Sequence, residues 1–382
     1  MKNSKILYVG VNDHKVDLFE GIYDVPNGVS YNSYIIADEK IAVMDTVDAH
    51  FCGEWLNNIE KALGGKEPDY LVVLHVEPDH SAGVLEFVKK YPKATIVGNA
   101  KTFVMLEQFF DCKFVSRHVV AEGDTLKLGE HELTFVFAPM VHWPEVMLAY
   151  DAPDKCLYSA DAFGKFGALD CDEPWIDEAR RYYIGIVGKY GAQVAALFKK
   201  LEGKALDTIR PLHGPVLTEN LSYYLDLYTK WATYTPEAHG VLVAYSSIYG
   251  HTKAAAELMA KELIAAGEKE VVLRDLARDD KAQCVAEAFK YDRLVIASVT
   301  YNAEAFPATR EFVDALVERN YQNRNIAVIE NGTWAPAAAR VIAQKLEKSK
   351  NVNIVGTAKV KSALSDESRA EIASLAKTLA AL

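Results

Sequence analysis

Residues 74–80 read Leu-His-Val-Glu-Pro-Asp-His, and they place four metal-binding side chains directly after an apolar segment. The apolar residues 70–74 predict a buried strand, and such a strand gains nothing from four polar groups in the next six positions. In an extended segment His75, Glu77 and Asp79 point to the same side, while the adjacent His80 turns towards a second metal. One short loop therefore predicts ligands for two metal ions.

Three further candidate ligands lie at or just after apolar, strand-like segments. They are His142 in Val-His-Trp-Pro, Asp161 in Ser-Ala-Asp-Ala, and His213 in Leu-His-Gly-Pro. Asp161 is the natural bridging ligand, because a carboxylate can span two metals and an imidazole cannot. We expect the isolated histidines to be structural or merely exposed: His14, His50, His118, His131 and His239.

The carboxylate of Glu77 indicates which metal the site prefers. A site built only from imidazoles suits zinc, whereas a carboxylate makes the site harder and more anionic, which favours iron or manganese. The pattern therefore predicts redox chemistry and not hydrolysis. We predict no catalytic residue beyond the metal ligands, and four aromatic residues are candidates for lining a pocket beside them: Trp143, Phe163, Tyr182 and Tyr183.

Composition limits the class of protein. The chain has 382 residues, of which 50% are hydrophobic and 25% charged, as expected for two globular domains without a membrane span. The net charge of -11 argues against nucleic acid as a partner. The five cysteines form no C-x-x-C pair, which argues against a disulfide framework, an iron–sulfur cluster or a built-in rubredoxin. No apolar signal region follows Met1, so we expect a cytoplasmic protein.

The two halves of the chain differ in pattern, with the boundary at a short linker near Pro236. Residues 1–236 show short strands with irregular loops and interspersed helices, which predicts a mixed α/β domain. From residue 237 to residue 382, five apolar strands alternate regularly with helices, which predicts a doubly wound parallel sheet. Such sheets bind ligands at the carboxyl ends of their strands.

The loop after the first strand of the second half is rich in hydroxyl groups and precedes a helix. Backbone N–H groups and the dipole of a helix N-terminus favour a phosphate there. The loop has neither a Walker lysine nor a G-x-G-x-x-G pattern, which disfavours nucleoside triphosphates and dinucleotides and suits the monophosphate of FMN. The candidate FMN-binding residues in this loop are Ser246, Ser247, Ile248, Tyr249, Gly250, His251 and Thr252.

Two later loops at the same predicted sheet edge carry aromatic residues. Tyr301 and Trp334 are suited to sandwich a flat ring, and backbone donors in both loops are suited to bond its polar edge. The further candidate FMN-binding residues are Thr300, Tyr301, Asn302, Ala303, Asn331, Gly332, Thr333 and Trp334.

The ligand run resembles that of the metallo-β-lactamase superfamily, whose usual pattern is H-x-H-x-D-H. Glu77 replaces the second histidine, and this departure is the hallmark of the flavodiiron proteins, also called A-type flavoproteins. The second half of the chain resembles flavodoxin, and the similarity covers the whole chain in the domain order of the flavodiiron family. The resemblance implies an N-terminal metallo-β-lactamase-like αββα sandwich, residues 1–236, and a C-terminal flavodoxin-like sheet, residues 237–382.

The same resemblance implies the site chemistry. One iron would be held by His75, Glu77 and His142, and the second by Asp79, His80 and His213, with Asp161 bridging them. FMN would pass electrons to the iron pair, which would reduce O2 to water or NO to N2O. The resemblance also implies a separate electron donor such as rubredoxin, and a head-to-tail homodimer or a dimer of dimers.

Two alternatives stay open on the residues alone. One is a zinc-dependent hydrolase of the metallo-β-lactamase type with an accessory flavodoxin module, which the identity of the metal would distinguish. The other is a non-enzymatic electron carrier, in which loss of Asp161 would leave function intact. The sequence does not decide between O2 and NO as the preferred substrate.

Overall fold

The chain forms two compact units in a computed structural model, which describes residues 5–382. One unit is Met1–Tyr228 and the other is Thr229–Leu382. The boundary that we predicted between residues 236 and 237 lies immediately before the first strand of the second unit, Ala238–Ser246.

The first unit is built on two sheets. Its strands, in chain order, are β1 (Lys5–Tyr8), β2 (Val11–Asp13), β3 (Leu18–Phe19), β4 (Tyr23–Asp24), β5 (Val29–Tyr31), β6 (Tyr34–Ala37), β7 (Ile41–Met44), β8 (Tyr70–Val72), β9 (Thr95–Asn99), β10 (Arg117–Val120), β11 (Thr125–Lys127), β12 (Glu132–Phe137), β13 (Met147–Asp151), β14 (Cys156–Tyr158) and β15 (Thr208–Arg210). One sheet has the order β1-β6-β7-β8-β9-β10 and the other the order β11-β12-β13-β14-β15. Strands β7 and β13 are buried along their whole length, so each sheet is covered on both faces.

The helices of this unit are α1 (Cys52–Leu63), α2 (Pro78–Ser81), α3 (Val84–Lys90), α4 (Ala100–Phe110), α5 (Trp175–Tyr182), α6 (Gly191–Leu201) and α7 (Leu221–Ala232), whose last residues extend past Tyr228. The long helix that we predicted around residues 177–201 is wrong in its middle, where a π-helical turn, Tyr183–Val187, and a 3₁₀ turn, Gly188–Tyr190, separate α5 from α6. Glycine has poor helix propensity. A Cβ at Gly185 would lie only 2.7 Å from Cε1 of Tyr23, so the ring of Tyr23 occupies the space that a larger residue would need.

In each sheet, neighbouring parallel strands end at the same edge, so the segments that follow them lie close together. Strand β8 runs parallel to β7 and β9, and β14 runs parallel to β15. The segments after β8, β14 and β15 and the loop between β12 and β13 are the ones that carry the sequence-predicted metal ligands. The apolar strands therefore form a rigid support, and the polar residues begin where the strands end.

The second unit alternates strands and helices as predicted. In chain order they are β16 (Ala238–Ser246), α8 (His251–Ala265), β17 (Val271–Asp275), α9 (Lys281–Lys290), β18 (Tyr291–Tyr301), β19 (Glu304–Ala305), α10 (Pro307–Glu318), β20 (Arg324–Asn331), α11 (Ala338–Leu346), β21 (Val352–Val360) and α12 (Asp366–Ala380). The main sheet has the order β17-β16-β18-β20-β21 with parallel pairing throughout, which confirms the predicted doubly wound sheet. The order reverses at β16, the place where such sheets bind ligands.

Burial of apolar surface holds the second unit together. Val243, Val295 and Ile329 lie on neighbouring strands of the sheet and are completely buried in one cluster with Met259 of α8 and Leu379 of α12. Complete burial of side chains of this size contributes roughly 1.5–3 kcal/mol each. Within residues 5–382, no helix combines the length and the apolar character that a membrane crossing requires.

Two glycines in the loops that precede β5 offer a matched test of the fold. Gly21 and Gly28 both have left-handed backbone, with φ of 72° and 67°, but only Gly28 has a neighbour where a Cβ would stand, 2.1 Å from the carbonyl oxygen of Asp13. We expect Gly21→Ala to cost about 1 kcal/mol of stability from strain alone, and Gly28→Ala to cost at least about 2 kcal/mol more, because backbone must move. Unfolding midpoints of the two variants in urea measure the difference, and equal midpoints would contradict this account of the loop.

Candidate functional site

The structure brings all seven sequence-predicted metal ligands together in one cage within the first unit. They fall into two groups, and in each group the candidate ligand atoms lie within 4.8 Å of one another. One group is His75, Glu77, His142 and Asp161, and the other is Asp79, His80 and His213. The division matches the two sets of ligands that the family resemblance implies.

Asp161 faces both groups. Its Oδ2 lies 3.1 Å from Nε2 of His142 and 3.5 Å from Nε2 of His75, both in the first group. Its Oδ1 lies 3.3 Å from Nε2 of His80, in the second group. One carboxylate therefore presents one oxygen to each half of the cage, which is the arrangement that a bridging ligand needs.

Residues 75–80 supply ligands to both groups, but their backbone conformation differs from the extended one that we predicted. The expectation that an extended chain points His75, Glu77 and Asp79 the same way is wrong, because the chain enters helix α2 at Pro78. Glu77 is the N-cap of α2, and proline favours the first helical position. The helical turn carries Asp79 and His80 away from Glu77 and into the second group.

Hydrogen bonds outside the cage fix the orientation of two imidazoles. Nδ1 of His213 lies 2.8 Å from the carbonyl oxygen of Ser30, which can only accept, so Nδ1 carries the proton. Nδ1 of His75 lies 2.7 Å from Oε1 of Glu145. Burial by itself would raise the pKa of Glu145, but the hydrogen bond with His75 lowers it. In both imidazoles Nε2 is therefore the inward nitrogen, and it would bind a metal once its own proton is displaced.

Asp45 holds the backbone at the end of strand β8, where the candidate ligands begin. Its Oδ1 accepts hydrogen bonds from the backbone N–H groups of Leu74, at 2.7 Å, and His75, at 3.2 Å. Burial raises the pKa of this carboxyl to about 8, although both N–H bonds oppose that shift. The contact fixes the backbone at the point where strand β8 gives way to the ligands.

Several buried atoms of the cage have no hydrogen-bond partner in the part of the chain that the structure describes. These are both carboxylate oxygens of Asp79, Oδ1 of Asp161 and Nδ1 of His80. Buried carboxylate oxygens without donors are costly unless a cation neutralises them. Three carboxylates and four imidazoles with such unsatisfied atoms fit a pair of metal ions with mixed nitrogen and oxygen ligands.

The protonation of the metal-free cage follows from its crowding. Burial by itself would lower the pKa of His142, but hydrogen bonds with Asp161 and Glu77 raise it to about 9. Burial by itself would raise the pKa of Asp161, yet the charges of His75 and His80 hold it well below its usual range. Metal-free, the cage therefore holds protons on imidazoles between ionised carboxylates, and metals enter by displacing those protons.

Sequence analysis missed Glu20, which approaches the cage from the loop between β3 and β4. Although part of Glu20 is exposed to solvent, burial of its carboxyl and the charge of Glu77 raise its pKa to about 7. Glu145 and Asp45 were also missed. Nothing in the local sequence marks any of the three, because each reaches the ligands only through the tertiary fold.

The second unit contains a cleft of about 710 Å³ at the carboxyl ends of its strands, within the size range of small-molecule sites. All three predicted loops line it, together with Val299, Ala335 and Ser362, which sequence analysis did not single out. Trp334 is 81% exposed and Tyr301 is 45% exposed at its rim. Large aromatic faces left open beside a cavity are suited to stack on a flat ring.

The first loop of the cleft ends at the N-terminus of α8, whose N-cap is Gly250. The hydroxyl of Ser247 accepts a hydrogen bond from the N–H of Gly250 at 3.1 Å, which shapes the turn. Ser246, which we predicted as a phosphate donor, does not line the cleft, because its hydroxyl is buried and bonded to that of Thr309 at 2.9 Å. The residues that line the cleft include no lysine or arginine, and they fit FMN through hydroxyls, backbone N–H groups and aromatic rings.

Comparisons with known protein sequences agree with the two units. Residues 29–214 match a family model described as ODP family beta lactamase, and residues 242–374 match one described as a flavodoxin domain. An uncharacterized protein of Methanocaldococcus jannaschii is 30% identical over 314 residues, covering 81% of this chain and 79% of that protein. The anaerobic nitric oxide reductase flavorubredoxin of Escherichia coli is 28% identical over 362 residues, covering 91% of this chain and 74% of that protein.

Solved structures show the same architecture. Rubredoxin oxygen:oxidoreductase from Desulfovibrio gigas superposes with a TM-score of 0.91 at 26% identity, covering 98% of this chain and 96% of that one. The flavodiiron protein of Giardia intestinalis superposes with a TM-score of 0.89 at 23% identity, covering 98% and 94%, and shows the shared fold. The predicted metallo-β-lactamase-like and flavodoxin-like domains are thereby confirmed, and the chain belongs to the flavodiiron protein family.

Proposed function

We propose that this chain is an oxidoreductase that reduces O2 to water, NO to N2O, or both, at a non-haem iron pair supplied with electrons through FMN. The observation that carries the proposal is the position of Asp161, one oxygen towards each half of a carboxylate-containing cage. Two relatives named for these activities, an oxygen oxidoreductase and a nitric oxide reductase, support it.

We propose that His75, Glu77 and His142 hold one iron, and that Asp79, His80 and His213 hold the other. The two groups of atoms that converge within 4.8 Å support this division. Asp161 would bridge the two ions. When bound, the iron pair would supply open positions for a diatomic molecule and would pass on the electrons that FMN delivers from the donor.

The side chains around the cage have separate tasks in this proposal. Glu145 and the carbonyl of Ser30 keep the protons of His75 and His213 on Nδ1, so that Nε2 faces inward. Asp45 holds the backbone of His75 in place. Each of these contacts orients a ligand in the metal-free protein. Metal binding then loses less conformational entropy, because the ligand side chains are already ordered.

We propose that the flavin occupies the cleft of the second unit. Its phosphate would lie at the N-terminus of α8, near Ser247, His251 and Thr252, and its ring would lie between the loops that carry Tyr301 and Trp334. The lining of the cleft by these loops supports the assignment. Ser362 would be a further contact, because it lines the cleft and its hydroxyl lies 2.6 Å from that of Thr333.

We propose that a separate protein such as rubredoxin donates electrons, since the five cysteines form no C-x-x-C pair. We also propose a cytoplasmic location, and a head-to-tail homodimer or a dimer of dimers. The names of the two relatives, a rubredoxin oxygen:oxidoreductase and a flavorubredoxin, support rubredoxin as the donor, while the assembly rests on the family resemblance.

Replacing the bridging ligand tests the proposed reaction. We expect Asp161→Ala to lower turnover of O2 and NO by roughly 100-fold or more, because the cage loses the oxygens that join its halves. Flavin content and reduction of the flavin by a chemical donor should stay as in the wild type, because Asp161 lies outside the flavodoxin-like unit. Exposed Asp226→Ala is the matched control, and it should keep full turnover. Wild-type turnover in Asp161→Ala would contradict the proposal.

Replacing Glu145 tests how the cage is oriented. We expect Glu145→Ala to weaken ferrous iron binding by about 10–100-fold, because His75 loses the acceptor that fixes its tautomer. Glu145→Gln keeps an acceptor oxygen and should restore part of the affinity. Exposed Glu86→Ala serves as the control. Anaerobic competition with a chelator measures the affinities, and an unchanged value in Glu145→Ala would disprove the positioning role.

A further inference from the structure

A second group of metal-binding side chains lies on the surface of the first unit, separate from the cage. It consists of His14, Asp170 and Cys171, whose candidate ligand atoms lie within 4.8 Å of one another. Nε2 of His14 lies 3.0 Å from Oδ1 and 3.1 Å from Oδ2 of Asp170. These residues are 156 positions apart in sequence, so the fold brings them together and no local motif does.

The backbone around these residues is fixed by the fold on both sides. On the His14 side, Oδ1 of Asp13 accepts hydrogen bonds from the N–H groups of Lys15, at 2.7 Å, and Val16, at 3.1 Å. Across the gap, the N–H of Leu169 donates to Oδ1 of Asn12 at 3.0 Å. The two loops therefore stay side by side without a metal.

Two more bonds anchor the loop that carries Cys171. The N–H of Ala168 donates to the carbonyl of Asn27 at 2.9 Å, and the N–H of Cys171 donates to the carbonyl of Ala168 at 3.2 Å. Within residues 5–382 the thiol makes one hydrogen bond, to the carbonyl of Asn27 at 3.6 Å. A thiol held by one weak bond can turn towards a metal at little cost.

The spacing of the ligand atoms suits a tetrahedral cation. With zinc–ligand bonds of about 2.0–2.3 Å, ligand atoms around one tetrahedral zinc stand about 3.3–3.8 Å apart. The imidazole and carboxylate of this group already lie a few tenths of an ångström below that separation. Sγ of Cys171 lies within 4.8 Å of the other two ligand atoms, so the group offers three of the four positions, and solvent would fill the fourth.

The donor set also differs in kind from the cage. The cage offers imidazoles and carboxylates but no sulfur, whereas this group combines one imidazole, one carboxylate and one thiol. Thiolate and imidazole together favour zinc-like ions over the harder ions that carboxylates select. A thiolate and a carboxylate would balance the charge of one divalent ion, and the thiol proton would leave to solvent on binding.

We propose that His14, Asp170 and Cys171 bind one zinc-type divalent cation, which ties the loop after β2 to the loop that precedes α5. The loop that precedes α5 also carries Asp161 of the cage, and the loop after β2 leads into β3, which Glu20 follows. The cation would therefore stabilise the support of the cage from the outside, without taking part in electron transfer. The proposal stands on these three residues and is independent of the assigned reaction.

The test uses the full protein with its iron and flavin already bound. Zinc is added, the excess is removed, and elemental analysis gives zinc and iron per chain. We expect one zinc per chain with no loss of iron. Cys171→Ser, His14→Ala and Asp170→Asn should each lose the zinc, while Cys112→Ser should keep it, because Cys112 is a free, partly exposed thiol outside the group.

Thiol reactivity gives a second readout on the same samples. Zinc should slow alkylation of Cys171 by at least about 10-fold, because a metal-bound sulfur is shielded from the reagent, and should leave Cys112 unaffected. Cobalt in place of zinc should give a thiolate charge-transfer absorption that disappears in Cys171→Ser. Zinc that binds equally in Cys171→Ser, that displaces iron, or that leaves Cys171 reactive would overturn the proposal, as would the absence of bound zinc.

Discussion

The cage of the first unit gathers buried carboxylates whose charge metal ions would neutralise. Asp79 and Asp161 bury oxygens that no protein donor satisfies within the described residues, while four imidazoles crowd the same space. Such a cluster is unfavourable without cations, since each ionised carboxylate loses its hydration. Metal binding therefore explains why this chain places polar groups at the ends of strands that are otherwise apolar.

In the second unit, as in the first, the candidate site is formed by loops that follow apolar strands. Its parallel strands β16, β18 and β20 end at one edge, and the loops that follow them form the walls of one cleft. The N-terminus of α8 supplies positive potential without a lysine or arginine in the lining. Both units thus bury apolar strands for stability and use the segments after those strands for chemistry.

The sequence was sufficient to identify the candidate metal ligands that the fold brings together, because residue type and strand position carry local information. His142, Asp161 and His213 follow apolar segments, and all three reach the cage. The geometry of residues 78–81 was not predictable from alternation, because Pro78 begins a helix there. The three loops that line the cleft were predictable from strand ends, yet Ser246 turns inward to Thr309, a contact that depends on a residue 63 positions away.

The residues that support the site were not predictable, because each acts at long range in sequence. Glu145 contacts His75 across 70 positions, and Ser30 contacts His213 across 183. The group of His14, Asp170 and Cys171 illustrates the same limit, since His14 carries no signal of its own until the loop of Cys171 lies beside it. The local sequence pattern identifies side chains that can bind a metal, whereas the tertiary fold determines which of these side chains lie close together.

Our proposal that Glu77 and Asp161 make this cage an iron site predicts the metal that the protein contains. Elemental analysis of protein that is expressed with ample iron and purified without air tests it most directly. The account predicts two irons per chain in the cage, together with bound FMN. Zinc filling the cage under those conditions would contradict it and would favour a hydrolase.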